Sequence, residues 1–298
     1  MDVTEEQLAR WAKPPSETEE EKCQNAVGQI TDAIRAKFGN NVSIFVQGSY
    51  KNRTNVRLDS DVDIVVRHDG YFFPDVGGMS EVDKQQYWAN FNVSTYTFSQ
   101  FKNDIQSILI NKFGATVIER KNKCIMVKGS SQRVNADVVP CFVHKRFKTP
   151  SLVETDGIEF VTDAGIHVYS FPEQHYDNGV SKNDSTSRMY KSVVRILKNV
   201  RNELVDQNTI APETMPSFFL ECLAWNVLPN THFLKNTYAE ATRAIVATVW
   251  NEMGEPEKAN NYAEVSDLKW LFRDNQNRTH QQARSFMQHA WDFIGYES

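Results

Sequence analysis

No stretch of the chain approaches the roughly 20 consecutive apolar residues that cross a bilayer, so no membrane-spanning helix is expected. The first residues, MDVTEEQLARW, are acidic and amphipathic, unlike the basic start and apolar run of a secretory signal, and a cytoplasmic protein is expected. Cysteine is scarce: four residues (Cys23, Cys124, Cys141 and Cys222), scattered and without a CxxC, which reads as reduced thiols. Cys141 and His144 stand at CxxH spacing with Cys124 nearby, but structural zinc usually shows two such pairs and only one is visible. There is no internal repeat, no low-complexity tract and no linker rich in Pro, Gly or Ser, so any two lobes are knitted together. A basic surplus is also missing: 33 Lys and Arg stand against 38 Asp and Glu, a net charge of −5. Binding a long nucleic acid needs a clear cationic excess, whereas a local basic pocket for a small phosphate compound needs none.

What is present is enough for a sizeable core, with 298 residues and 40% hydrophobic content. Leu8 and Trp11 anchor a short helix that Pro14 and Pro15 interrupt, and Ser16 or Thr18 can cap a longer one. In that second helix Val27, Ile30, Ile34 and Phe38 recur at helical spacing up to Gly39. VSIFVQ (Val42 to Gln47) reads as a buried strand broken by Gly48, and DVDIVVRH as a second strand. Phe98, Phe101, Ile105, Ile108 and Phe113 mark a helix stopped by Gly114. Strands at about Cys124 to Lys128 and Val134 to Phe142 follow. IEFV and IHVYS then flank Thr162-Asp163-Ala164-Gly165 as a hairpin. From Ser185 onward the periodicity is helical. A strand-containing half before a helical half is α+β ordering rather than alternating βαβ units.

The chemistry concentrates in GSYKNRTNVRLDSDVD, residues 48–63. Gly48 forces a sharp turn after a strand and lets a phosphate approach the backbone, while Ser49 offers a hydroxyl and an N–H. Asp61 and Asp63, two apart on a strand, point to one face, with Val62 and Ile64 turned to the core. Two such carboxylates repel unless a cation lies between them, and a hard divalent ion carrying phosphate oxygens suits the place. A third carboxylate comes from RVNADVVPCF, where Asp137 is the lone acid of its strand; if that strand lies beside the first, all three reach one metal site. A lone Gly-Ser is usually a turn and a lone DxD usually a solvated strand end. The ordered combination is what points to nucleotidyl transfer.

These residues resemble the polymerase-β-type nucleotidyltransferases. More closely, the chain resembles the bacterial cGAS/DncV-like nucleotidyltransferases, which make cyclic oligonucleotide signals in anti-phage defence. The likeness runs through the N-terminal helix start, GSYKNRTNVRLDSDVDIVV, the HYDNGVSKNDST loop from His175, YKSVVRILKNVRNEL and PSFFLECLAWNV, and is nearest to the uridine-using branch. It implies a bilobal nucleotidyltransferase core over residues 1–180, including the long N-terminal helix, and a helical lobe over 181–298 that closes the nucleotide cleft. It implies two Mg²⁺ ions, with Mn²⁺ as substitute, held by the catalytic Asp61, Asp63 and Asp137. Gln47, Gly48, Ser49, Lys198, Ser217 and Phe218 are the implied nucleotide-binding residues. Lys198 would meet the triphosphate, Ser217 a phosphate, and Phe218 would stack on a base in place of the family's tyrosine. One of Phe218 and Phe219 must serve the core, and the resemblance leaves Phe218 as the exposed one. Arg188, Lys191, Arg195 and Lys198 recur at helical spacing as a basic stripe, which taken alone reads as a solvated face.

The implied substrates are nucleoside triphosphates (ATP, UTP, GTP or CTP) and the product a cyclic di- or trinucleotide. No nucleic-acid activator is expected, and regulatory or effector proteins are the implied partners. Two rivals share the catalytic half: an enzyme that modifies a tRNA, protein or small-molecule acceptor, and a binding protein that has lost catalysis. The acidic balance disfavours tRNA, and the presence of all three carboxylates disfavours the second.

Overall fold

A computed structural model describes residues 3–14, 16–56, 61–273 and 278–296. In chain order its elements are α1 (Glu5–Trp11), α2 (Glu17–Phe38), β1 (Val42–Gln47), α3 (Gly48–Asn52), β2 (Val62–Asp75), α4 (Glu81–Ala89) and α5 (Phe98–Phe113). There follow β3 (Ile118–Arg120), β4 (Ile125–Val127), β5 (Ala136–Thr149), β6 (Leu152–Val161) and β7 (His167–Ser170). The chain ends in α6 (Pro172–Ser185), α7 (Met189–Asp206), α8 (Ser217–Asn226), α9 (Tyr238–Glu252), α10 (Pro256–Ala259) and α11 (His280–Ile294).

By its contacts the chain forms two compact units: a sheet unit of Ser16–Tyr50 and Leu58–Pro172, and a helical unit of Met1–Pro15, Lys51–Arg57 and Glu173–Ser298. The sheet unit is built on one mixed sheet in which β1, β2, β5, β4 and β3 are neighbours in that order, with β6 beside β5 and β7 beside β6. Among the described strands β2 and β5 pair in parallel and the other pairs are antiparallel. Helices α2 and α5 supply Ile30, Ile34, Phe101, Ile105 and Leu109 to a core with Val62, Ile64 and Val138 from the sheet. Ser16 opens α2 through a capping box with Glu19, and Thr97 opens α5 through one with Gln100, each satisfying backbone N–H groups that the first helical turn leaves free.

The helical unit has its own core, in which Leu8 of α1 packs with Val193, Leu197, Phe219, Leu223, Ile245 and Phe286. The α+β expectation holds, and strands at 42–47 and in the hairpin after residue 158 form as expected. Two expectations need correction. HYDNGVSKNDST is not a loop: all of it but the final Thr186 lies in α6, whose first residue Pro172 has a ring that pre-sets helical φ where no N–H is required. The basic stripe of α7 is not solvated, since Lys191, Arg195 and Lys198 are only 9%, 7% and 2% exposed, and Arg188 sits outside the helix as its left-handed cap. Helical period alone does not separate a solvated charged face from a buried one that finds partners. Among the described residues no helix is long and apolar enough to cross a membrane.

Candidate active site

In the sheet unit, strand register sets the geometry. Gln47 lies opposite Asp63 across the β1–β2 ladder, and Asp63 lies opposite Asp137 across the parallel β2–β5 ladder. Directly opposed residues share a face, so the three form a row on one side of the sheet. Val62, Ile64 and Val138, their immediate neighbours along the strands, turn the other way and are fully buried. Burial of those apolar side chains fixes the face on which the carboxylates stand, because a slip of one residue would reverse every side chain. Asp61 does not lie on the strand as expected. The ladder begins at Val62, whose N–H donates to the Asn135 carbonyl at 3.0 Å, and Asp61 stands one residue ahead of it.

Gly48 follows Gln47 with φ of +70°, and a Cβ there would collide with the Asp63 carboxylate. The glycine therefore serves the approach of its own backbone to a catalytic carboxylate, in addition to the turn read from the sequence. Ser49 is half-buried in the first turn of α3. Burial, and then the charges of Asp137 and Asp61, push the Asp63 carboxyl up to about 7, with Lys121 acting in the opposite sense. Lys121 Nζ donates to Asp137 Oδ1 at 3.2 Å. Among the described residues, Lys121 is the cation that offsets the excess of negative charge on this sheet face.

That imbalance bears on the implied metal. Among the described residues no three His, Cys, Asp or Glu side chains converge on a single coordinating point. Mg²⁺ seldom needs such a cage: it is commonly held by one or two carboxylates and completes its octahedron with water and substrate phosphates. An all-oxygen set of mutually repelling carboxylates, in which Asp63 resists ionisation beside its neighbours, fits a hard divalent cation. The CxxH pair offers no comparable set. Cys141 is fully buried, burial raises its thiol above the ordinary range, and His144 is bonded through Nδ1 to Glu159 at 2.6 Å.

The remaining expected residues lie in the helical unit. Lys198 is buried, and its ammonium donates to Thr54 Oγ1 at 3.0 Å and Glu221 Oε2 at 3.3 Å. Glu221 also accepts from Thr54 Oγ1 at 2.9 Å and meets His175 Nε2 at 3.0 Å. Burial would raise the Glu221 carboxyl, but the Lys198 charge and these hydrogen bonds prevail and hold it down to about 2. Burial lowers Lys198 despite the attraction of Glu221. Three donors serve the carboxylate whereas two acceptors serve the ammonium, so the anion is the better solvated partner. Ser217 is exposed at the start of α8. Phe219 is fully buried, while Phe218 is half-buried, stacked on His175 at 5.6 Å with Arg278 5.3 Å from its ring centroid. The division of the two phenylalanines between core and surface is as expected.

Glu221, His175, Thr54 and Lys121 were not singled out in the sequence. Glu221 alone carried a signal, as a lone acid inside the apolar run FFLECLAW, where an unpaired charge would be costly.

Comparison with known proteins places these observations. Residues 177–295 match the family described as cGAS/DncV-like nucleotidyltransferase C-terminal helical domain. The chain is 49% identical over 297 residues, with all of both chains covered, to the cyclic dipurine nucleotide synthase of Elizabethkingia meningoseptica. It is 34% identical to the cyclic dipyrimidine nucleotide synthase CdnE of Cecembia lonarensis, covering 98% of this chain and 99% of that one. The solved structure of Elizabethkingia meningoseptica CdnE cyclic dinucleotide synthase with GTP and Apcpp superposes with a TM-score of 0.84 at 46% identity, covering 99% of this chain and 100% of that one.

Proposed function

The chain belongs to the cGAS/DncV-like nucleotidyltransferases, and on that premise we propose that it joins two nucleoside triphosphates into a cyclic dinucleotide. The observation that carries the chemistry is the row of Gln47, Asp63 and Asp137 across three adjacent strands, with Gly48 packed against Asp63. The cyclic product is supported by the relatives, which are named as cyclic dinucleotide synthases.

In each transfer an acceptor ribose hydroxyl oxygen bonds to the donor α-phosphorus. The bond from that phosphorus to the bridging oxygen breaks, pyrophosphate leaves, and the hydroxyl proton passes to solvent. Mg²⁺ or Mn²⁺, bound as two ions by Asp61, Asp63 and Asp137, would supply Lewis-acid charge that acidifies the hydroxyl and offsets the phosphate charge. Gly48 leaves the backbone open to a phosphate, and Gln47 and Ser49 orient it with amide, hydroxyl and N–H donors. Phe218, backed by His175, offers a stacking face for a base, and the exposed Ser217 beside it offers a hydroxyl. Lys198 is the proposed lysine for the triphosphate, and its ammonium also donates to Thr54 and Glu221, which secures the segment following the Gly48 turn.

Purines are the proposed bases, because the relative at 49% identity is named a dipurine synthase; this sets aside the uridine-using branch to which the motifs pointed. The product is proposed as a second messenger of bacterial anti-phage signalling read by an effector protein, a role that rests on the family resemblance. The test is to incubate the protein with four labelled nucleoside triphosphates and Mg²⁺ or Mn²⁺, treat with phosphatase, and analyse the products by mass spectrometry. A phosphatase-resistant dinucleotide of ATP and GTP origin is expected. Nucleotide transfer only when a tRNA, protein or small-molecule acceptor is added would replace this reading with acceptor modification.

A further inference from the structure

Within the helical unit, among the described residues, Lys51, Arg53, Lys191 and Arg195 form no ion pair. Lys51 Nζ lies 4.6 Å and Lys191 Nζ 5.7 Å from the centroid of the Tyr176 ring. Arg195 donates from Nη1 to the Arg53 carbonyl and from Nε to the Ala12 carbonyl, both at 2.6 Å, and so binds neutral acceptors alone among carbonyls and the Ser192 hydroxyl. Among the described residues no carboxylate lies within ion-pair distance of Lys51, Arg53, Lys191 or Arg195, and neither lysine ammonium makes a hydrogen bond. Burial lowers Lys191, with Glu221 and Asp184 drawing it up and Arg195 and Arg53 pushing it down. Burial likewise lowers Arg195, to about 10, with Arg53 adding to the repulsion.

Concentrating like charges around a half-solvated aromatic ring costs stability unless something of opposite sign occupies the place. A ring face holds ammonium groups in position while leaving their N–H donors unused, three on each lysine. The arrangement is held from both sides. Lys51 belongs to α3, three residues beyond Gly48, and the segment that follows is fixed by Arg195 on Arg53 and by Lys198 on Thr54. Several cations within one unit, with no described carboxylate at ion-pair distance, match a polyanion better than a single carboxylate or phosphate.

We propose that Lys51 and Lys191, gathered over the Tyr176 ring, form a polyphosphate subsite that takes the triphosphate of a bound nucleotide. The identity of that nucleotide rests on the proposed function: an enzyme joining two nucleoside triphosphates handles a second triphosphate at the first transfer, beyond the one that leaves as pyrophosphate.

The test is calorimetric titration of the full chain with inorganic tripolyphosphate, without divalent metal, at several salt concentrations. Lys51→Glu, on an exposed side chain, is the primary variant. Lys191→Gln is the second, with Lys191→Arg and Lys51→Arg as charge-preserving partners and melting curves to confirm folding. Lys51→Glu and Lys191→Gln are expected to weaken tripolyphosphate binding about tenfold or more and to flatten its salt dependence, the arginine variants to retain it. Wild-type affinity for tripolyphosphate in folded Lys51→Glu protein overturns the subsite, as does equal affinity of the wild-type chain for orthophosphate and tripolyphosphate. If Lys51→Glu leaves binding intact and the wild-type chain still makes cyclic product, the subsite fails and the proposed function stands. If lysine-dependent binding is found but no nucleotide is joined, the subsite stands and the proposed function fails.

Discussion

Gly48 holds a backbone conformation with φ of +70° and lies where a methyl group would meet the Asp63 carboxylate. Gly48→Ala therefore meets both backbone strain and a displaced carboxylate, and we expect a stability loss of about 1–3 kcal/mol together with loss of turnover. Thermal melts and single-turnover assays on the same sample check both effects. Glu221 offers a second test at this scale. Its carboxyl is held down to about 2 against an ordinary 4.5. A depressed carboxylate contributes stability that is fully present above the unfolded value and is lost as pH falls from about 4.5 towards 2. The size is of the order of 3 kcal/mol. Glu221→Gln should remove that acid-dependent loss and destabilise the protein at neutral pH by about 3–5 kcal/mol, because Lys198 stays buried without its anion. Urea unfolding as a function of pH would show it, and identical pH profiles for the two proteins would contradict the assignment. The Gly-Ser turn and the Asp61–Asp63 spacing are local and so visible in the sequence, whereas Asp137 could be joined to them only on the condition that its strand lies beside theirs. Glu221 could not be placed in this way, since its partners Thr54 and His175 are 167 and 46 residues away.

At the scale of the element, α8 carries two adjacent rings with different tasks. Phe219 is fully buried in the helical core and Phe218 is half-buried beside His175. Phe219→Ala should cost about 3–5 kcal/mol, as large-to-small changes in a packed core do. Phe218→Ala should lower nucleotide affinity with a much smaller change in melting temperature. Paired melts and nucleotide titrations separate the two, and equal destabilisation by both would assign Phe218 to the core. Elements with an apolar rhythm were legible: β1 covers Val42–Gln47 as read, and α5 runs from Phe98 to Phe113 before Gly114. Elements without one were not. Helix α4 leaves Val82 75% and Trp88 49% exposed, so it has no apolar face to announce it. In α6 the Asn, Gly and Ser content suggests a loop, but His175, Gly179 and Lys182 are buried along one helix, and that packing overrides propensity. The stripe of α7 shows the converse, a correct period with the wrong environment.

The whole molecule is decided by which core each segment joins, and that is the level least visible in local patterns. Periodicity shows that residues near Leu8 are helical; it does not show that Leu8 and Ala12 pack with Val193 and Phe219 rather than with the neighbouring α2. The same holds for the parallel pairing of β2 with β5, which brings Asp63 and Asp137 to adjacent positions from residues 74 apart in number and could only be written as a condition from the sequence. Nucleotidyl transfer is the chemistry proposed for Asp63 and Asp137, with Asp61 one residue ahead of the strand. The most direct measurement is pyrophosphate release and cyclic-product formation from ATP and GTP with Mg²⁺, wild type against Asp61→Ala/Asp63→Ala, with melting curves for both. A phosphatase-resistant dinucleotide is expected from the wild-type chain and none from a folded double variant. Turnover retained in that variant would contradict the proposed role of these carboxylates.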